Sequence, residues 1–362
     1  MLRDLTIQNY RCFKNFQVDG LAPVNLIVGM NNSGKTSLLE AIYLLVSQND
    51  PQRLVEVLYN RGEIAERYIG SRVPGEAVRR STGYQVTHIF YGHRLRPGDA
   101  IHLKSKREQR LSLDMQLHAG ARQAALTLFE ETSETDISTS SLSLLFAYGN
   151  HPILEVPVRD DGAIDLRYFR FQRPDLPHRF LTTNNLDFSQ LAELWDGITL
   201  TPKEENVIAA LQILEPTLER ISFTSRQTSN SGILLKLRKQ NEPIPLGSMG
   251  DGMRRLLTLA ASAVMAEEGV LLVDEIDTGL YYQTQNDMWR LLIETAQRLN
   301  VQVFATTHSS DCVRAFQEAL DQSKDRSVGS LFRLSKRGEK IEAVSYTADE
   351  LAVAIRQDIE VR

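Results

Sequence analysis

The chain has 362 residues, 42% hydrophobic and 24% charged, with a net charge of −5. That make-up fits a globular protein with a sizeable core, as one large domain or two, and it argues against a uniformly basic nucleic-acid coat. Cys12 and Cys312 show no paired spacing, which fits a reducing compartment and gives no zinc pattern.

Met1 to Leu5 lacks a signal-peptide core, and the most apolar helical stretch, Leu256 to Met265, is far short of a membrane span. A cytoplasmic protein with no membrane contact is therefore expected. Leu2 to Tyr10 alternates apolar and polar residues, as a half-buried strand does. Arg11 to Phe16 turns into a second strand ending near Asp19-Gly20, and Val24 to Val28 reads as a buried parallel strand. Gly29-Met30-Asn31-Asn32-Ser33-Gly34-Lys35-Thr36 then spells G-x-x-x-x-G-K-T, a phosphate-binding loop. Its glycines let backbone N–H groups converge on phosphate oxygens. Lys35 places a charge on the β- and γ-phosphates, and the Thr36 hydroxyl suits Mg²⁺. Ser37 to Leu45 reads as helix, so the phosphates meet a helix N-terminus. Asn31, Asn32, Ser33, Gly34, Lys35, Thr36 and Ser37 are the candidate ATP-binding residues.

Pro51 to Arg80 reads as helix and then loop. From Gly83 to Arg173 short β-rich runs dominate: 84–91, 100–103, 110–117, 124–129, 153–158 and 164–171, an antiparallel meander. Ser133 to Ser143 is rich in Ser and Thr and reads as a mobile loop. Lys104, Lys106, Arg107 and Arg110, with Arg167, Arg170, Arg173 and Arg179, read as a solvated sheet surface. The sharper alternative is a phosphate-backbone contact surface interleaved with Tyr168, Phe169 and Phe171. Leu186–Thr199 and Pro202–Leu214 read as helices, the second with Thr201 as cap and Pro202 at its first position. Ile221–Gln227 and Gly232–Leu237 read as a hairpin around Ser229-Asn230-Ser231. No internal repeat or heptad run is present.

Leu246 to Gly252 puts Ser248, Gly250 and Gly252 before a helix running from Met253 to Ala266, a second anion-binding helix start. Gly269 to Val273 is an apolar strand ending in Asp274-Glu275. Two adjacent carboxylates at a buried strand end are costly without a cation. Mg²⁺ supplies one: Asp274 suits the ion, and Glu275 suits the attacking water as its orienting base. Val301 to Ser309 is another buried strand, ending at His308. The other six histidines show no ligand spacing.

The opening Asn9-Tyr10-Arg11-Cys12-Phe13, together with these motifs in this order, resembles the SMC/RecF/OLD-like group of ABC-type ATPases, specifically its stand-alone bacterial members. The match runs from Leu2 to about Phe316. The resemblance implies an α/β P-loop NTPase fold of ABC-ATPase type, with a mixed β core, an antiparallel β lobe and a helical signature lobe. It implies that Arg11 lies near the nucleotide. Ser248, Gly250 and Gly252 would be a degenerate signature loop that contacts the γ-phosphate of ATP on another protomer. Asp277, in Ile276-Asp277-Thr278-Gly279-Leu280, would be a D-loop residue at a dimer interface. His308 would hydrogen-bond the γ-phosphate. No glutamine stands at the expected Q-loop junction, where Leu181-Thr182-Thr183-Asn184-Asn185 lies.

One domain is expected, built from 1–50 (strand pair, P-loop and its helix), 83–173 (antiparallel lobe), 186–266 (helical signature lobe), 269–316 (acidic strand to histidine) and 329–362 (C-terminal strands and helix). The expected function is Mg²⁺-dependent ATP hydrolysis at a homodimeric clamp, with ATP and Mg²⁺ as cofactors. The group further implies a DNA-maintenance or phage-defence role with a separate effector, a nuclease or toxin, and possible DNA contact. A nucleotide-gated scaffold or sensor with negligible turnover is the alternative. The stretch after His308 is too short for an OLD-type nuclease domain, and the absent coiled coil argues against SMC- or RecN-like roles.

Overall fold

The computed structural model describes residues 1–48, 50–69, 79–108, 110–119, 142–149, 151–165, 176–183, 186–224, 232–238 and 240–362. Strands His178–Leu181, Val270–Val273, Gln302–Thr306, Val24–Val28 and Gly329–Arg337 lie side by side in that order, all parallel. Lys340–Thr347 closes one edge antiparallel. The central strands are apolar at nearly every position because both faces are covered. Leu26, Leu271, Val273, Val303 and Ala305 point into one core. Ile27, Val270, Leu272 and Phe304, one residue out of phase, point into the other.

The second core is closed by the helix Lys35–Val46, of which every residue but Thr36 is buried, and by a six-stranded antiparallel sheet. That sheet runs Phe13–Asp19, Asp4–Tyr10, Ala100–Lys104, Ser112–Ala119, Leu142–Tyr148, Leu154–Val158. The N-terminal hairpin and the antiparallel lobe are thus one continuous sheet, joined where Asp4–Tyr10 pairs with Ala100–Lys104. Local patterning detects each strand but not this pairing between segments about a hundred residues apart. Ile101, Leu103, Leu113, Met115 and Leu117 face the helix, and the alternate residues are partly or fully exposed.

Four expectations change. The run read as β over 84–91 is strand only as far as Gln85 and becomes a 3-10 turn over Thr87–Ile89. Leu142 and Ser143 open a strand, so the loop predicted to Ser143 ends sooner. The stretch read as loop after Pro51 holds, beyond the helix Gln52–Asn60, two strands, Ile64–Ile69 and Arg79–Gln85, paired as a hairpin. Lys106 and Arg107 sit past the end of a strand, where the buried Asp4 carboxylate accepts their backbone N–H groups at 2.6 and 3.1 Å. The strand predicted at 124–129, the 167–173 cluster with Tyr168, Phe169 and Phe171, the Ser229–Ser231 turn and Asn184-Asn185 lie outside the described residues.

Over the other face of the parallel sheet pack helices Asp251–Met265, Tyr282–Leu299, Ser310–Gln322 and Ala348–Arg356. Helices Phe188–Asp196 and Pro202–Leu211 and a small sheet, Leu218–Phe223, Ile233–Leu237 and Ile244–Pro245, complete that core. Thr201 caps its helix by accepting from Lys203 N–H. Among the described residues no helix is long and apolar enough to cross a membrane.

Candidate functional site

Strand Val24–Val28 delivers the chain into the loop 29–36 at the edge where the neighbouring parallel strands also end. Asn32 and Gly34 take left-handed conformations, φ +63° and +97°. A Cβ at Gly34 would sit 2.9 Å from Cys12 Sγ and 3.0 Å from Phe13 Cζ, so the loop is pressed against the N-terminal hairpin. Gly34 caps the following helix without a side-chain acceptor, which leaves the first-turn N–H groups to a ligand. Ser33 Oγ is buried with no hydrogen-bond partner among the described residues, as a group awaiting an external partner is. Asn31 and Asn32 are exposed, and Ser37 Oγ accepts from Arg61 Nη2 at 3.3 Å.

Lys35 is buried and donates to its own loop, to the carbonyls of Gly29 (2.8 Å) and Met30 (3.1 Å). Burial pushes its ammonium below the ordinary lysine range, while the negative charges of Asp274 and Glu275 pull the other way. An ammonium has three N–H donors, so one remains for a phosphate.

Thr36 Oγ1 donates to Asp274 Oδ2 at 2.9 Å, so the end of strand Val270–Val273 lies against the loop. The other Asp274 oxygen, Oδ1, accepts from Thr306 Oγ1 at 2.5 Å. The same Thr306 hydroxyl accepts the Glu275 N–H at 2.8 Å. Glu275 itself is left-handed, φ +46°. Its Oε1 lies 3.0 Å from His308 Nε2 at the mouth of the site. Thr307 Oγ1 donates to Asp277 Oδ1 at 2.6 Å. Lys35, Thr36, Asp274, Glu275 and His308 therefore form one cluster, and Asp277 is tied to it through Thr307. Among the described residues no group of three or more His, Cys, Asp or Glu is placed to hold a metal. A Thr hydroxyl and a single carboxylate beside a phosphate cradle instead fit the few protein oxygens that a nucleotide-associated Mg²⁺ would take.

Ser248 and Gly250 are exposed, and Gly250 (φ +88°) leads uncapped into the helix Asp251–Met265. Among the described residues no hydrogen bond or ion pair joins either of them to the Lys35–His308 cluster, whereas Gly252 packs near Leu280. Arg11 is buried (7% exposed) and engaged by two carboxylates: Nε meets Glu40 at 2.7 Å, and the fork meets Glu63 at 2.8 and 3.1 Å. Arg61 meets the other Glu40 oxygen at 2.7 Å. Glu40 lies on the P-loop helix, so Arg11 sits beside that helix with its guanidinium already paired.

Four participants were not legible in the sequence. Thr306 and Thr307 precede His308 and could have been read as strand-end donors to the acids. Glu63 and Arg255 carry no motif. Arg255, nearly fully buried, donates to the Glu275 carbonyl at 3.4 Å. Burial pulls its guanidinium below the ordinary arginine range, against the attraction of Asp277.

The sequence pattern described as "AAA ATPase domain" matches residues 1–90 and 180–313, more than half of the chain. The gap between the two matched stretches holds most of the antiparallel lobe. The chain is 22% identical to the "ATP/GTP phosphatase" of Helicobacter pylori over 386 aligned positions, covering 97% of each. It is 29% identical over 106 residues to the DNA replication and repair protein RecF of Enterococcus faecalis, 29% of this chain and 27% of RecF. Among solved structures, an SMC head bound to the C-terminal winged-helix domain of ScpA matches with a TM-score of 0.50 at 12% identity, covering 97% of this chain and 99% of that one. The P-loop fold, the two acids at its strand ends and these matches lead to one conclusion: the chain belongs to the AAA ATPase domain family, as an ABC-type ATPase of the SMC/RecF-like kind.

Proposed function

We propose that the chain hydrolyses ATP with Mg²⁺ at a composite site between two copies, so that ATP closes a homodimeric clamp and hydrolysis opens it. The observation that carries this reading is the continuous chain Thr36–Asp274–Thr306–Glu275, ending at His308. It aligns the phosphate loop with a water-directing carboxylate. The N–H groups of Asn31 to Ser37 and the Lys35 ammonium bind the β- and γ-phosphates. Thr36 and Asp274 would hold Mg²⁺, which when bound neutralises charge shared by those phosphates. Glu275 orients the attacking water and accepts its proton, while His308 steadies that carboxylate and donates to the γ-phosphate. Arg11 reaches the nucleotide only if Glu63 releases it.

Ser248, Gly250 and Gly252 complete the site of the other copy, with Asp277 at the interface. The exposure of Ser248 and Gly250, with no hydrogen bond among the described residues from either to its own cluster, supports that assignment. The RecF relative supports DNA maintenance, and the resemblance to OLD-like proteins supports phage defence. In either role the ATPase works with a separate nuclease or toxin, with DNA as the further candidate ligand. The ScpA-bound SMC head shows that the same fold carries a partner elsewhere. Unpaired Cys12 and Cys312 fit the cytoplasm.

The test is complementation. Ser248→Arg retains its own P-loop and spoils its neighbour's site, while Lys35→Ala does the reverse. Each alone is expected to be inactive. Mixed, they should regain about one working site per heterodimer. Mixed dimers seen by native mass spectrometry with ATP, yet inactive, would overturn the composite site.

A further inference from the structure

We infer that Arg255 is a positioning residue for hydrolysis: from the second turn of the signature helix it holds the backbone carbonyl of Glu275 and so sets where that carboxylate points.

The inference starts from the backbone of Glu275. A glutamate at φ +46° is in a region that a side chain with a Cβ seldom adopts. Such a conformation persists only where the surroundings hold it. On one side the Glu275 N–H is bound by Thr306 Oγ1 at 2.8 Å. On the other side the Glu275 carbonyl accepts from Thr278 N–H at 3.0 Å and from Arg255 Nη2 at 3.4 Å. Arg255 is 2% exposed. Burying a guanidinium costs far more than burying a leucine or methionine of similar length, so helix packing alone gives no reason for an arginine here. The chemistry that does is a rigid donor fork that spans from helix Asp251–Met265 to a carbonyl at the end of strand Val270–Val273, with the Asp277 carboxylate near enough to attract it. Rotating the Glu275 peptide would swing the carboxylate away from His308, 3.0 Å from it now. A displacement of an ångström or so at a reacting group is enough to slow chemistry by about 10²-fold.

Arg255 also stands only three residues after Gly252. Movement of the signature loop is therefore passed through one rigid side chain to the catalytic carboxylate of the same copy. This second step rests on the composite-site reading, because it is the other copy's nucleotide that would move the loop. The first step needs one chain only.

The experiment compares Arg255→Met, similar in length and without donors, and Arg255→Lys with wild type. ATP affinity is measured by calorimetry and hydrolysis in single-turnover mode. The expected result is affinity within about twofold and hydrolysis slowed roughly 10–100-fold. In a Glu275→Gln background, Arg255→Met should cause no further loss, because it acts through that carboxylate. Wild-type hydrolysis by the folded Met variant overturns the inference, and so does a further loss in the Glu275→Gln background. Should the Met variant not fold, Arg255→Lys decides by the same measurements. Failure of the complementation experiment with a slowed Arg255→Met removes the composite site and leaves the positioning role standing.

Discussion

Glu275 Oε1 and His308 Nε2 lie 3.0 Å apart, although 33 residues separate them in the chain. The contact exists because two adjacent parallel strands, Val270–Val273 and Gln302–Thr306, end at the same edge of the sheet. Both side chains are about 40% exposed, so the pair faces solvent and can take in a water. A carboxylate held by an imidazole at the mouth of a phosphate site is arranged to orient a water and receive its proton. Glu275→Gln keeps the shape and loses the proton acceptor. ATP binding should be retained and turnover should fall at least about 10²-fold, with the ATP-bound dimer accumulating in size-exclusion chromatography. Near-wild-type turnover would remove Glu275 from this role.

Thr306 is the residue that locks the site together. Its hydroxyl donates to Asp274 and accepts from the Glu275 N–H, and it is fully buried. Thr306→Val keeps the shape and leaves the buried Asp274 oxygen and the partly buried Glu275 N–H without their partner, a cost of about 1–3 kcal/mol for the buried group. Both acids should be misplaced. We expect lower thermal stability together with a fall in kcat larger than the change in nucleotide affinity. A Val variant as active as wild type would show that the two acids are held by other means.

The site was legible in the sequence where its chemistry is contiguous, and obscure where it is assembled across strands. Gly29 to Thr36 and Asp274-Glu275 could be read because each motif carries its own reason. Glycines make the nest, and paired acids end an apolar run. The parallel sheet was legible in Val24–Val28, Val270–Val273 and Val301–Phe304, whose apolar runs, interrupted only by Asn25 and Gln302, demand two covered faces. The fusion of Asp4–Tyr10 with Ala100–Lys104 was not, because a period-2 pattern says which face is buried and nothing about the neighbour. Glu63 was invisible for the same reason: its bidentate hold on Arg11 spans 52 residues. Arg254 and Arg255 are adjacent in sequence, yet one is exposed and the other buried, which is decided by what packs on the helix rather than by residue type.

Gly34 tests whether the loop needs its glycine. At φ +97° an alanine pays roughly 1–3 kcal/mol of backbone strain. Its methyl would also meet Cys12 Sγ at 2.9 Å and Phe13 Cζ at 3.0 Å. Gly34→Ala should therefore reorient the N–H groups at the helix start and weaken ATP binding at least about tenfold by calorimetry, with a lower melting temperature. Unchanged affinity would mean that the loop does not cradle the phosphates. Gly98, also at positive φ, has open space around its Cβ and is the matched control: Gly98→Ala should lose stability but not affinity.

The last prediction concerns acid sensitivity at the far end of the P-loop helix. His178 opens the edge strand His178–Leu181. Its Nδ1 lies 2.8 Å from the Leu176 carbonyl and its Nε2 lies 3.2 Å from Ser47 Oγ, with its ring edge-on to Tyr43. Burial holds its pKa below the ordinary histidine value, although the Leu176 carbonyl opposes this. Of the charged groups around it, Arg53 lowers the pKa further, and Asp50 and Glu56 raise it. The folded protein thus resists a proton that the unfolded chain accepts at about pH 6.5. Where the unfolded state binds more protons, stability rises with pH. His178 therefore costs nothing at neutral pH, and its contribution turns unfavourable as pH falls below about 6.5. Thermal unfolding of wild type should drop between pH 7.5 and pH 5.5, and His178→Gln should drop less over the same interval. Ser47, Tyr43 and the Arg53–Glu56 pair remain in that variant, so the difference between the two slopes isolates the imidazole. Equal slopes would show that carboxylates elsewhere set the acid sensitivity. A steeper slope in His178→Gln would mean that the folded state favours the protonated imidazole, with Asp50 and Glu56 outweighing burial.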